Sequence, residues 1–329
     1  MKTHRILGLV LALLVLSSLP LLAQGATETT QTKIDFPKGP ITFIVPFSAG
    51  GGTDLVARSI ADVAKQLLGQ PVVVENKVGG TGMVGAAEAI NAKPDGYTWV
   101  LGTVGMVSMP ELGQAPQGVT WERLKPIYLF NSDPGCVSVP ASSPYKTINE
   151  LVKAAAANPE SVKIANGGAG GSFHLIALSI EIDTGVKFLH VPYSGGTNEA
   201  VIATVGKHVD AVVSTPAEVD AQVKAGTLRI LAMANDTRIA SYPNVPTLKE
   251  SGIAVSLGTW RGVMIPLNTP DAIAKIIEDA CAAVAKDERF LTFMRTGNYG
   301  IDLRDSKGFA AMLAEQKTLF AKVAAVLKK

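Results

Sequence analysis

Two short stretches hold most of the residues that could do chemistry in this chain. In Ser48-Ala49-Gly50-Gly51-Gly52-Thr53-Asp54 and in Gly167-Gly168-Ala169-Gly170-Gly171-Ser172-Phe173-His174, glycines cluster with hydroxyls where a helical pattern begins. Glycine lets the backbone turn sharply and lets a ligand approach the main chain. The first N–H groups of a helix have no internal partner and lie at the positive end of its dipole. A strand–glycine–helix junction is therefore an anion site that needs no basic side chain. Two facing junctions would grip a carboxylate from both sides, with Ser48, Thr53 and Ser172 as hydroxyl donors. Each one alone is also the ordinary build of a tight turn before a helix.

Other chemistries find less support. Gly80-Thr81-Gly82-Met83-Val84-Gly85 spells a dinucleotide fingerprint, but the following strand, residues 98–103, lacks the acid that would hold a ribose. No GxxxxGK[ST] run occurs, and no Gly-x-Ser-x-Gly elbow. His174, His190 and His208 lack the i, i+3 or i+4 partners of a metal site. His174 could donate to a bound carboxylate or be a capping or packing histidine, and His190 reads as a satisfied core residue in an apolar strand. No catalytic residue, metal or cofactor is expected.

One unit, repeated, positions the loops: a β-branched run, a glycine turn, an amphipathic helix. Residues 41–47 read as a strand and 54–68 as a helix, with Val56, Ile60, Val63 and Leu67 on one face. Strands at 72–76, 97–103, 136–139, 162–166, 188–193, 209–214, 228–234 and 260–265 alternate with helices at 83–92, 148–157, 172–183 and from Thr197. Helices at 271–286 and 307–327 close the chain, and 104–125 reads as irregular. Strands alternating with helices imply an α/β protein whose parallel sheets are covered on both faces.

Met1-Lys2-Thr3-His4-Arg5, an apolar run at 6–16 and Ala23-Gln24-Gly25 have the build of a cleaved export signal over 1–25. A polar, disordered leader is expected over 26–36. Lys2 and Arg5 account for the whole formal charge of +2, so the mature chain has no basic excess to hold nucleic acid. No later run is apolar and long enough to span a membrane. Roughly 300 mature residues exceed one ordinary core and suggest two lobes. Cys136 and Cys281 read as separate buried thiols rather than a bridge.

Ordered motifs along the mature chain add a resemblance. Ile44-Val45-Pro46-Phe47-Ser48-Ala49-Gly50-Gly51-Gly52-Thr53-Asp54, Gly69-Gln70-Pro71-Val72-Val73-Val74-Glu75-Asn76, Pro94-Asp95-Gly96-Tyr97-Thr98 and His190-Val191-Pro192-Tyr193 occur in that order. Lys224-Ala225-Gly226-Thr227-Leu228-Arg229, Tyr242-Pro243-Asn244-Val245-Pro246-Thr247 and Glu250-Ser251-Gly252 follow. Together they resemble the tripartite tricarboxylate transporter receptor family, the Bug or TctC-like extracytoplasmic binding proteins. The resemblance implies a two-lobed periplasmic-binding-protein fold (type II), each lobe a mostly parallel sheet flanked by helices. Lobe 1 would be 37–127 plus 258–329 and lobe 2 would be 128–257, with crossings near 126–130 and 257–263.

It further implies a monomeric periplasmic protein that captures a small carboxylate, a di- or tricarboxylate or an aromatic acid, for a membrane permease. A sensory module for a two-component receptor is the alternative. Carried over, the carboxylate-pinching loops are Phe47, Ser48, Ala49, Gly50 and Gly51 with Asp54, and Gly168, Ala169, Gly170, Gly171 and Ser172 with His174. Thr103, Tyr193, Ser214, Thr215 and Pro216 would line the remainder. Ala169-Gly170-Gly171 departs from the bulkier or hydroxylated residues of many relatives. Thr215-Pro216-Ala217-Glu218 and Thr259-Trp260-Arg261-Gly262 are similar to the tricarboxylate-binding branch. Arg261 could meet a second carboxylate there, or be a hinge arginine paired with a surface acid.

Overall fold

A computed structural model describes residues 34–327. The expected export signal and most of the expected leader lie outside these residues. At the leader's end, Phe36 packs edge-on against Tyr97, with ring centroids 5.0 Å apart. The disordered leader therefore does not extend to Phe36.

The first half of the fold opens with β1 (Ile41–Val45), α1 (Gly52–Leu68), β2 (Val72–Asn76), α2 (Met83–Asn91), β3 (Thr98–Gly102) and α3 (Gly105–Glu111). A 17-residue strand, β4 (Leu124–Pro140), then leads into the second half. That half contains α4 (Ile148–Ala157), β5 (Lys163–Asn166), α5 (Ser172–Thr184), β6 (Leu189–Pro192) and α6 (Thr197–Val205). It ends with β7 (Ala211–Ser214), α7 (Pro216–Lys224) and β8 (Leu228–Ala234). The return strand β9 (Gly258–Pro266) is followed by α8 (Asp271–Val284), α9 (Glu288–Thr296), β10 (Ile301–Arg304) and α10 (Ser306–Leu327).

The strands form one sheet in the order β2-β1-β3-β9-β4-β7-β5-β6, with β8 and β10 also pairing β4. The strands that feed helices are parallel: β1 to β2 and β3, and β5 to β6 and β7. The long crossing strands β4 and β9 run antiparallel to each other and to their neighbours. β4 pairs β9 as far as Pro134 and β8 from Gly135 onward. Residues 128–134, expected in the second lobe, thus hydrogen-bond within the first sheet half. Nothing in their composition interrupts the strand before Pro134, the residue that cannot donate a ladder bond.

Strand alternation builds a core on each face of each half. Ile41, Phe43 and Val45 join one cluster with α1, α8 and α9, while Ile44 joins another with α2, α3 and α10. In the second half Val137, Val139, Ile164 and Val213 face one side, and Cys136, Ala165 and Val212 the other. Each large buried side chain contributes about 1.5–3 kcal/mol. Cys136 and Cys281 are free and buried in different clusters. Burial pushes both thiols up, Cys136 to about 12.

α3, α7, α9 and β10 are additions to the sequence reading. α3 carries buried Met106, Val107 and Met109 in near succession, which hides a helical period. α7 had a legible signal: Thr215 and Glu218 form a capping box with Pro216 as first helical residue.

Candidate ligand-binding site

Three strand–glycine–helix junctions, not two, converge on one cavity. Its walls include Phe47, Ser48, Gly51, Gly52 and Thr53 at the start of α1, and Gly167, Gly168, Gly171, Ser172 and Phe173 at the start of α5. Gly195, Gly196, Thr197 and Asn198 at the start of α6 complete the triad. These helices have 17, 13 and 9 residues, and their N-caps, Gly51, Gly171 and Gly196, offer no side-chain acceptor. By contrast, Thr147, Thr215 and Asp287 cap α4, α7 and α9 with their own side chains. Orphan N–H groups of the three glycine-capped helices are thus left for whatever enters the cavity.

One device braces all three loops. The third residue of each helix accepts a hydrogen bond from the glycine N–H four residues earlier. Asp54 Oδ2 accepts from Gly50 at 2.9 Å, His174 Nδ1 from Gly170 at 3.0 Å, and Glu199 Oε2 from Gly195 at 3.2 Å. The shared pattern is Gly-Gly-[Gly/Ser/Thr]-x-[Asp/His/Glu], readable in sequence once the third copy is aligned. Asp54 is also tied to Arg58 Nε and to Asn76 Nδ2, which in turn holds the Phe47 carbonyl. Burial raises the Asp54 pKa, but the hydrogen bonds from Arg58, Gly50 and Asn76 outweigh it and hold the carboxyl below its ordinary value.

Of the residues expected at the site, Phe47, Ser48, Gly51, Thr103, Gly168, Gly171 and Ser172 line the cavity. Asp54 and His174 stand behind it as braces, and the N–H groups of Gly50 and Gly170 are already donated to them. Ala49 and Ala169 are exposed. Tyr193 meets the loops through its backbone, donating to Asn166 and accepting from Gly196. Ser214 is buried beside Cys136. Thr215 and Pro216 start α7 and so aim Glu218, which does line the cavity. Sequence reasoning also passed over Thr81, Val104, Gly105 and Thr259 as wall residues.

The fingerprint-like Gly80-Thr81-Gly82 turn has a use unrelated to dinucleotides. Thr81 Oγ1 donates across the cleft to the Ala169 carbonyl at 2.7 Å, and Ser108 Oγ donates to Gly170 at 2.7 Å. Ser48 N–H reaches the Gly195 carbonyl at 3.1 Å. These bonds hold the two halves shut around a space of about 40 Å³ open to the centre of a water molecule. Among the buried polar atoms without a protein partner are Thr103 Oγ1, in the cavity wall, and Asn166 Nδ2, next to wall residue Gly167.

Among the described residues, Arg261 and Glu218 are the only ionisable ones in the wall. Arg261 Nη1 pairs with Asp133 Oδ2 at 2.7 Å, with both side chains 2% exposed. Nη1 also donates to Asn131, and Nε to Thr53 at 3.3 Å. The guanidinium lies 5.9 Å from the Tyr299 ring centre. The arginine therefore pairs with an acid of the chain, but with the buried Asp133 on β4 rather than a surface acid. Burial pushes Glu218 up, against the pull of nearby Arg261.

His174 must be neutral at Nδ1 to accept from Gly170. Burial, and then the adjacent His190, hold its pKa down to about 4, with Glu181 opposing weakly. The His190 ring lies 4.8 Å away and its Nε2 meets Glu181 at 3.0 Å. The folded state thus binds fewer protons here than the unfolded state, whose histidine titrates near 6.5. The stabilisation is complete above about pH 6.5 and is lost as pH falls towards 4. Partial exposure limits the loss to about 1–2 kcal/mol. Urea midpoints at pH 7.5 and 4.5 are expected to differ less in His174→Gln, which keeps an acceptor and does not titrate; an unchanged difference would remove this role.

Comparison with known proteins agrees with this architecture. The sequence model described as tripartite tricarboxylate transporter family receptor matches residues 56–328. A Cupriavidus necator relative, the UPF0065 protein in the gbd 5' region, is 36% identical over 260 residues, 78% of this chain and 77% of its own. A TctC solute binding protein from Polaromonas, without ligand, is 34% identical with TM-score 0.66, covering 87% of this chain and 98% of that one. MatC from Rhodopseudomonas palustris with bound malate is 25% identical with TM-score 0.82, covering 88% and 100%. With the family's motifs, its solute-binding fold and a cleft shut between two sheet halves, the chain belongs to the tripartite tricarboxylate transporter receptor family.

Proposed function

We propose that this receptor works in the periplasm, closing its two lobes on a small carboxylate and delivering it to a tripartite-type membrane permease. The observation that carries the reading is the convergence of three glycine-capped helix N-termini on one shut cavity. Such a wall offers main-chain donors and dipole ends to an anion without a net positive charge of its own. A single position for the centre of a water already holds one water, so about 40 Å³ of such positions admits a solute of several heavy atoms, such as an acid of a few carbons. The bound malate of the MatC structure is an acid of that kind, and the better superposition on that structure than on the unliganded one fits a shut cleft.

In this reading Phe47, Ser48, Gly51, Gly168, Gly171, Ser172 and Thr103 touch the acid. Asp54, His174 and Glu199 keep the loops in shape. The test is calorimetry on protein unfolded and refolded to strip bound solute, titrated with C3–C6 acids and with the matching alcohols. Micromolar or tighter binding of an acid, lost in its alcohol, is expected. Binding of the alcohols alone would refute the carboxylate reading.

A further inference from the structure

The cavity wall beside Gly52 carries a donor and an acceptor but no unbalanced positive charge. Nη1 and Nε of Arg261 are engaged by Asp133, Asn131 and Thr53, which leaves Nη2. Oε2 of Glu218 accepts from the Thr215 N–H at 2.9 Å and from its hydroxyl at 3.0 Å, which leaves Oε1. These two remaining atoms converge on the same spot beside the first residue of α1. A Cβ built on Gly52 would lie 3.1 Å from Arg261 Nη2 and 3.2 Å from Glu218 Oε1. Glu218 comes from the second half of the fold, Arg261 from the crossing strand β9 and Gly52 from the first half.

We infer that Glu218 and Arg261 select the second polar group of the ligand, and that this group is a neutral donor–acceptor such as a hydroxyl or carboxamide rather than a second carboxylate. The inference rests on the carboxylate reading above, which supplies the first group. The charge balance is the reason. Asp133 already balances Arg261 at 2.7 Å, so this wall has no positive charge left for a second carboxylate, and it is negative whenever Glu218 is ionised. A second ligand carboxylate would then face a like charge in a water-poor space, where such juxtaposition is strongly unfavourable. A hydroxyl or amide instead donates to Glu218 Oε1 and accepts from Arg261 Nη2. A dicarboxylate could enter only with a proton on Glu218. The charged or titratable groups that face that carboxyl are Arg261 on β9, Asp133 and Cys136 on β4 and Tyr299 before β10.

Two isosteric pairs test the inference: succinate against succinamate, and glutarate against glutaramate, titrated by calorimetry into refolded protein at pH 7.5. Wild type is expected to bind the better amide acid at least tenfold tighter than its dicarboxylate. Glu218→Gln keeps the capping box, since glutamine serves at that position as glutamate does. It is expected to shift the ratio at least tenfold towards the dicarboxylate. Equal or tighter binding of the dicarboxylate by wild type, without proton uptake, overturns the inference and leaves the carboxylate reading standing. A Glu218→Gln effect equal on both members of a pair also overturns it. Failure of all four acids to bind, where another acid of the C3–C6 panel does bind, overturns the inference and leaves the carboxylate reading standing.

Discussion

Replacing Arg261 with alanine is expected to destabilise the protein by about 3–5 kcal/mol, because it leaves the Asp133 carboxylate buried without its partner. Asp133 is 2% exposed, and its other oxygen already accepts from Gly300 N–H at 2.5 Å. The lost guanidinium also tied β9 to Asn131 on β4 and to Thr53 in the first turn of α1. At about 2–4 °C per kcal/mol for a chain of this class, the thermal midpoint should fall by roughly 10 °C. The double variant Arg261→Met with Asp133→Leu removes both charges and fills the space with apolar atoms. It should recover more than half of the loss, as buried pairs replaced by packed hydrophobes often do. A melt of Arg261→Ala within about 2 °C of wild type would show that Asp133 finds water or another partner.

Gly168→Ala is expected to weaken binding of the tightest acid in the panel by roughly 30- to 100-fold, or about 2–3 kcal/mol. Gly168 has φ +127°, where any Cβ is strained by about 1–3 kcal/mol. That Cβ would also lie 2.8 Å from Thr81 Oγ1 and 3.5 Å from its Cγ2, across the cleft. The strain acts whether the cleft is open or shut, but the collision acts only when it is shut. Thr81→Ala alone should cost about 1 kcal/mol of closure, by removing the bond to the Ala169 carbonyl. In the Gly168→Ala background the same change should strengthen binding, because it removes the colliding atoms. This reversal of sign is the coupling expected of residues in direct contact. If the two losses simply add, the cleft does not close on the Thr81 turn.

Much of the fold was legible because its units are local. The residues from β1 to α1 announce a strand by β-branched alternation, a turn by glycines and a helix by its apolar face, all within 30 residues. The irregular reading of 104–125 missed α3 because its buried methionines leave no polar face to mark a period. The short strand read at 136–139 became the 17-residue β4, because its first part is defined by pairing with β9 rather than by its own pattern.

The site divides in the same way. Sequence determined that α1 and α5 begin at glycine junctions with open N–H groups, since capping chemistry is settled within four or five residues. It equally contained the third junction, Gly195-Gly196-Thr197-Asn198-Glu199, in the same local form. Tertiary structure decided that this third loop faces the other two, because the order β7-β5-β6 sets which strand ends share an edge of the cleft. It decided that Arg261 is balanced by Asp133, 128 residues away, and that Glu218 arrives beside Gly52. Backbone dihedrals and caps depend on near neighbours. The partner of a buried charge depends on which strands the sheet brings together.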